Sequence, residues 1–147
     1  MQIIVDADAC PVKDEIVRVA ARHDVSVLFV ACYAHELDGY NVLRVDKEPQ
    51  AADMAIVNKI QPWDVVVTGD YGLAAMALGK RARVLSFRGQ RFTESNIDQL
   101  LAQRHLHQRV RRGGGRMRGP KAFSRDDRER FEAALQSLLA ADAADRD

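Results

Sequence analysis

Little in this sequence points to a secreted or membrane protein. Cysteine occurs only at Cys10 and Cys32, too few for the disulfide framework of a small secreted domain. A reduced, cytoplasmic setting is therefore expected. No apolar run approaches the roughly 20 residues that a membrane helix needs. The first such run, Ile3-Ile4-Val5, has no basic segment before it, so neither a signal peptide nor a membrane partner is expected. Net charge is nearly absent, +1 over 147 residues, and the overall balance names no partner. No internal repeat is visible. Acid is missing from one place in particular: Arg104 to Lys121 holds seven Lys or Arg and no Asp or Glu, which leaves about six net negative charges on the rest of the chain. The sequence thus describes an acidic body with one basic, Arg/Gly-rich segment at 104–121.

What is present is an alternation of apolar runs and helical patterns, in a length suited to one domain (1–147) with a substantial core. Strands are expected at Gln2–Val5, Val25–Ala31, Val42–Val45, Asp64–Thr68 and Val84–Phe87. Helices are expected from Pro11 to Arg22, Ala51 to Ile60, Leu73 to Gly79 and Asn96 to Arg109, the last capped by Thr93 or Ser95 and broken by Gly113-Gly114-Gly115. Ser124 should cap a final amphipathic helix with Phe131, Leu135, Leu138 and Leu139 on one face, before a frayed acidic tail at 142–147. The expected fold class is α/β: a single three-layer domain, a mostly parallel five-stranded sheet with helices on both faces and a C-terminal helix. The short link into the third strand leaves its direction open.

Carboxylates punctuate the strand ends. Asp6 and Asp8 follow the first strand, and Asp70 follows Val65-Val66-Val67-Thr68-Gly69. If those strands are parallel, all three lie beyond one edge of the sheet, where open α/β sheets bind ligands. Gly69 and Gly72 would let a backbone approach closely. Asp53 shares a helix face with Ile56, Val57 and Ile60, a face expected to bury, so it needs a partner. Either it caps its own helix or it joins Asp6, Asp8 and Asp70 around Mg²⁺ or Mn²⁺, hard cations that prefer oxygen ligands. Each acid alone is also explained as a cap or turn residue. Zinc is not indicated, because His23, His35, His105 and His107 show no ligand spacing with a cysteine pair.

Around that point, Lys13 in a first helical turn would suit a phosphate, or is simply solvated. Cys10 reads as a small buried side chain. Asn96 and Asp98 could face the site, although capping explains this stretch too. Arg111, Arg112, Arg116, Arg118 and Lys121 suit a nucleic-acid backbone, or form a solvated linker. No aromatic residue interleaves with them, so base stacking is not indicated there.

Asp6-Ala-Asp-Ala-Cys-Pro-Val-Lys13, Ala52-Asp53, Val67-Thr-Gly-Asp-Tyr-Gly-Leu-Ala-Ala75, Asn96-Ile97-Asp98 and Gly119-Pro-Lys121 together resemble the YaiI/YqxD family of bacterial proteins. That family is similar to the PIN-like nucleases. The resemblance implies a PIN-like parallel sheet and a metal site of clustered acids that cuts RNA or DNA. It matches Asp6, Asp53 and Asp70 to the nuclease carboxylates, with Asp8 beside the first and Asp98 nearest to the fourth acid.

Three functions follow as expectations. The first is a Mg²⁺- or Mn²⁺-dependent nuclease acting on nucleic acid, RNA foremost. The second is a phosphohydrolase working through an aspartyl-phosphate, with Asp6 as nucleophile and Asp8 as acid/base; it calls for another acid soon after Asp70, where the chain has Tyr-Gly-Leu-Ala. The third is a non-catalytic nucleic-acid-binding domain.

Overall fold

Side-by-side pairing of short apolar strands sets the architecture. The computed structural model describes residues 1–32, 37, 39–48, 50–112 and 122–146, with 107–112 and 142–146 described by backbone alone. The elements run β1 (Gln2–Asp6), α1 (Lys13–Arg22), β2 (Ser26–Ala31), β3 (Val42–Arg44), α2 (Ala51–Lys59), β4 (Val65–Val67), α3 (Tyr71–Gly79), β5 (Arg83–Leu85), β6 (Arg91–Phe92), α4 (Glu94–Arg112) and α5 (Arg125–Arg146). They form a six-stranded sheet in the order β3-β2-β1-β4-β5-β6. Every neighbouring pair is parallel except β5–β6. The direction left open for β3 is thus parallel. The sixth strand, absent from the sequence reading, is two residues long; so short a run shows no alternation to detect.

Alternate residues of each strand go to opposite faces, as the pleat requires. Ile3, Val5, Phe29, Ala31, Val65 and Val67 pack with residues of α1 and α5, including Ile16, Val19, Phe131 and Leu135. Ile4, Val30, Val66 and Val84 pack with Ile56 of α2, Leu73 and Ala77 of α3 and Ile97 of α4. The result is the expected three-layer α/β arrangement. Phe131, Leu135, Leu138 and Leu139 of α5 are all buried, as their spacing indicated. Each side chain of this kind contributes roughly 1.5–3 kcal/mol when fully buried.

Helix boundaries shift where caps decide them. Pro11 lies ahead of α1, and Val12 takes the cap position. Asp70 accepts hydrogen bonds from the Gly72 and Leu73 amides, so α3 begins at Tyr71 rather than Leu73. Of the two candidates for α4, Thr93 is the cap. Its Oγ1 accepts from the Asn96 amide at 3.3 Å, and Asn96 Oδ1 accepts from the Thr93 amide at 2.9 Å, a reciprocal box. Ser124 and Asp127 repeat this device at α5. α5 stays helical through Arg146, past the point where fraying was expected. No helix among the described residues is long and apolar enough to cross a membrane.

Candidate functional site

The chain leaves β1 in one direction across the sheet to β2 and β3, and returns beside β1 as β4 before going the other way. The carboxyl ends of β1 and β4 therefore flank the switch point, where such sheets bind ligands. Register then selects the side chains. Ile4 pairs with Val66 and Val5 with Val67, so Asp6 and Thr68 come next, both on the face covered by α2, α3 and α4. There Thr68 donates its hydroxyl to Asp6 Oδ2 at 3.0 Å and accepts the Asp70 amide at 3.0 Å. Asp70 Oδ1 takes the Gly72 amide at 2.8 Å, the Leu73 amide at 3.2 Å and Arg104 Nη1 at 3.5 Å.

This leaves a free oxygen on each acid. Among the described residues nothing is hydrogen-bonded to Asp6 Oδ1 or Asp70 Oδ2. Asp53, on the third residue of α2, has no hydrogen bond there at all, so it does not cap its helix; Gln50 holds the cap position, without a side-chain bond. Burial pushes Asp6 up to about 6, against the Thr68 hydrogen bond, and the charges of Asp53, Asp70 and Asp8 push it further the same way. Asp53 is raised by burial and then by Asp70. The structure thus brings Asp6, Asp53 and Asp70 within electrostatic reach of one another, with Asp8 within reach of Asp6. As placed, no three Asp, Glu, His or Cys side chains among the described residues form a group that could hold a metal ion.

The other sequence candidates make contacts of their own. Asp8 turns to the neighbouring strand, where its Oδ2 accepts from the Cys32 amide at 3.0 Å and from Cys32 Sγ at 3.1 Å. Lys13 donates to the Cys10 carbonyl at 2.6 Å. Asn96 is held at both ends of its amide by the α4 cap and the Arg91 carbonyl. Asp98 is exposed on α4 and does not line the cleft described below. Arg111 and Arg112 end α4, while Arg116, Arg118 and Lys121 lie outside the described residues. Cys10 is buried, and burial pushes its thiol up to about 11, as suits a structural side chain.

A cleft of about 480 Å³ opens at the switch point, lined by Asp6, Gly69, Asp70, Tyr71, Phe87 and Arg104 among others. Two of these, Tyr71 and Phe87, escaped the sequence reading as site residues, and Arg104 entered it only as the start of the basic segment. The available signal for Arg104 was its place three residues after Leu101, on the stripe of Ile97 and Leu101 that packs in the core. Both glycines also sit close to their own neighbours in the fold. A Cβ on Gly69 would lie 3.1 Å from the Phe87 ring, and one on Gly72 would lie 3.2 Å from Asp70 Oδ1.

Fold and cleft together define an α/β protein with an acidic cleft at the switch point of a parallel sheet. Residues 4–141 match the profile of the uncharacterized YaiI/YqxD family, and the chain belongs to that family. It is 48% identical over 137 residues to the UPF0178 protein of Ruminiclostridium cellulolyticum, covering 92% of this chain and 90% of that one. It is also 48% identical over 141 residues to UPF0178 protein BH1374 of Halalkalibacterium halodurans, covering 94% and 90%. Among solved structures, Rae1 (YacP) from Bacillus subtilis aligns over 96% of this chain and 98% of that one, at 20% identity and a TM-score of 0.37.

Proposed function

We propose that this protein is a metal-dependent nuclease that hydrolyses phosphodiester bonds, with RNA as its substrate, in the cytoplasm. The observation that carries the reading is the convergence of Asp6, Asp53 and Asp70 at the switch point, where neither Asp6 nor Asp53 is paired with a cation among the described residues. A half-buried acid raised by burial and then by its neighbours' charges is a poor structural element and a good place for a cation. The donor chemistry suits Mg²⁺ or Mn²⁺, all oxygen, with Asp6 Oδ1, Asp70 Oδ2 and Asp53 as the groups that would hold it. Two carboxylates completed by substrate phosphate oxygens and water would suffice, which is how Mg²⁺ is commonly held. When bound, the cation supplies Lewis acidity that activates water and stabilises the leaving oxygen.

The chain's own residues orient those ligands. Thr68 fixes Asp6 through Oδ2, and the N-terminus of α3 fixes Asp70 through Oδ1. Each carboxylate is thereby turned so that its other oxygen is the free one. The aspartyl-phosphate alternative is disfavoured, since Asp8, its acid/base, is bonded to Cys32.

The test is Mn²⁺ calorimetry and cleavage of single-stranded RNA, on wild type and on Asp6→Asn with Asp70→Asn. Asparagine caps helices as well as aspartate does, so the double variant keeps α3. Binding and metal-dependent cleavage lost together in the variant support the reading. A wild type that neither binds Mn²⁺, with or without RNA, nor cleaves would sink it.

A further inference from the structure

We propose that Arg104 is the substrate-binding residue that takes a phosphate of the nucleic-acid backbone at the mouth of the cleft. The inference rests on the nuclease reading and adds the anion-binding half that the carboxylates lack. Arg104 makes one ion pair, Nη1 to Asp70 Oδ1 at 3.5 Å, with the two side chains 48% and 38% exposed. An exposed pair at that separation contributes about 0–1 kcal/mol. Stability therefore does not account for a guanidinium held in this position. A guanidinium has five N–H donors in a planar fork, and this bond is the only one the Arg104 side chain makes among the described residues. Most of the fork is open.

The pair also falls on the oxygen already bound to the Gly72 and Leu73 amides. Arg104 consequently leaves Asp70 Oδ2 unobstructed. A residue serving only to neutralise the acids would be better placed on Asp6 or Asp53. Arg104 instead stands at the rim, and it is the one cationic side chain lining the cleft among the described residues.

The helix that carries it is anchored in the core just ahead of it. Ile97 is buried, and Leu100 and Leu101 pack against the same core. Arg104 follows Leu101 by three positions and Ile97 by seven, so the packed face of α4 carries it over the sheet edge. The α4 backbone continues through Arg112, taking the acid-free stretch that includes Arg109 and Arg111 onward along the same helix. A phosphodiester matches this geometry, because the arginine fork recognises phosphate in bidentate fashion. A phosphate held there would face the free carboxylate oxygens across the cleft, as a shared cation requires.

The test uses a fluorescent single-stranded RNA of about ten nucleotides, titrated in EDTA so that nothing is cut, across a range of salt. Relative to wild type, Arg104→Ala should weaken binding roughly tenfold and make the log–log salt slope shallower by about 0.7, the loss of one phosphate contact. Arg104→Lys should keep the slope and recover part of the affinity, since it retains the charge without the fork. Mn²⁺ affinity by calorimetry should be undiminished in Arg104→Ala. If wild type binds RNA and Mn²⁺ while Arg104→Ala shows the same salt slope, the Arg104 assignment alone is overturned and the residue is a surface ion pair. If wild type binds neither, the nuclease reading falls and this inference with it.

Discussion

Thr68 donates its hydroxyl to Asp6 at 3.0 Å, the one hydrogen bond the Asp6 carboxylate has among the described residues. The contrast is Asp64 at the opposite edge of the sheet, fully buried where Asp6 is half-buried, which accepts from the Gln2 amide, the Gln2 side chain and the Gln61 amide. Asp64 is built into the fold; Asp6 is held in place but left short of donors.

The first prediction follows from that shortage. Asp6 is pushed up to about 6, so the fold prefers it protonated. Below the ordinary carboxylate range both folded and unfolded chains carry the proton and nothing is lost. As pH rises through about 6 the folded state must ionise a disfavoured group, at a cost on the order of 2 kcal/mol. Asp6→Asn should therefore stabilise the metal-free protein by about 1–3 kcal/mol at pH 7.5 and have little effect at pH 4. Urea denaturation in EDTA measures both. Thr68→Val should raise the Asp6 pKa further, read by carboxyl NMR.

The opposite sign is expected at Asp127, a carboxylate that serves the fold. It accepts from the Ser124 amide at 2.9 Å and hydroxyl at 3.0 Å, and from Arg88 at 2.9 Å. The Ser124 hydrogen bonds, then the arginines, hold its pKa below the ordinary value. Its contribution is present above the unfolded-state pKa and is lost as pH falls through the lowered one. Asp127→Asn should lower Tm at neutral pH, and the gap from wild type should close in strong acid. Ser124→Ala should cost about 1 kcal/mol as a lost cap.

Asp8 offers a chemical readout of its own position. The Cys32 thiol is raised first by its hydrogen bond to Asp8. Asp8→Ala should release it, speeding iodoacetamide labelling of Cys32 at pH 8 by roughly three- to tenfold. Cys10, buried and at about 11, should stay unlabelled in both proteins. The same variant should retain more Mn²⁺ affinity than Asp6→Asn. An unchanged labelling rate would mean that Asp8 does not engage Cys32 in solution.

The alternation of apolar runs and helical stripes made the layers and the parallel core legible, because burial on both faces leaves strands such as Val65-Val66-Val67 wholly apolar. The edge shared by Asp6 and Asp70 followed from strand direction alone. Two-residue β6 left no periodic trace. Arg104 was read only as the start of the basic segment; that it lines the cleft depends on how α4 packs on α3, which sequence does not show. Gly69 and Gly72 were read as openings for a ligand; what sequence did not show is that Phe87 and the Asp70 carboxylate also lie close to them.

Asp53 separates a structural acid from a site acid most cleanly. Capping was its simplest explanation, and α2 does not use it so: its cap position is Gln50, and the Asp53 carboxylate accepts no hydrogen bond among the described residues. It is instead half-buried and raised by burial and by Asp70. Removing its charge should cost the fold nothing beyond a modest loss at the helix dipole, of about 0.3–1 kcal/mol. Relief of repulsion with Asp6 and Asp70 offsets that loss. Asp53→Asn should hence leave Tm within a few degrees of wild type in EDTA, lower the Asp6 pKa, and weaken Mn²⁺ binding about tenfold or more. Calorimetry and thermal melts on one preparation decide the matter. Intact Mn²⁺ affinity with a sharply lower Tm would make Asp53 a structural residue and leave Asp6 and Asp70 as the only carboxylates for a cation to share.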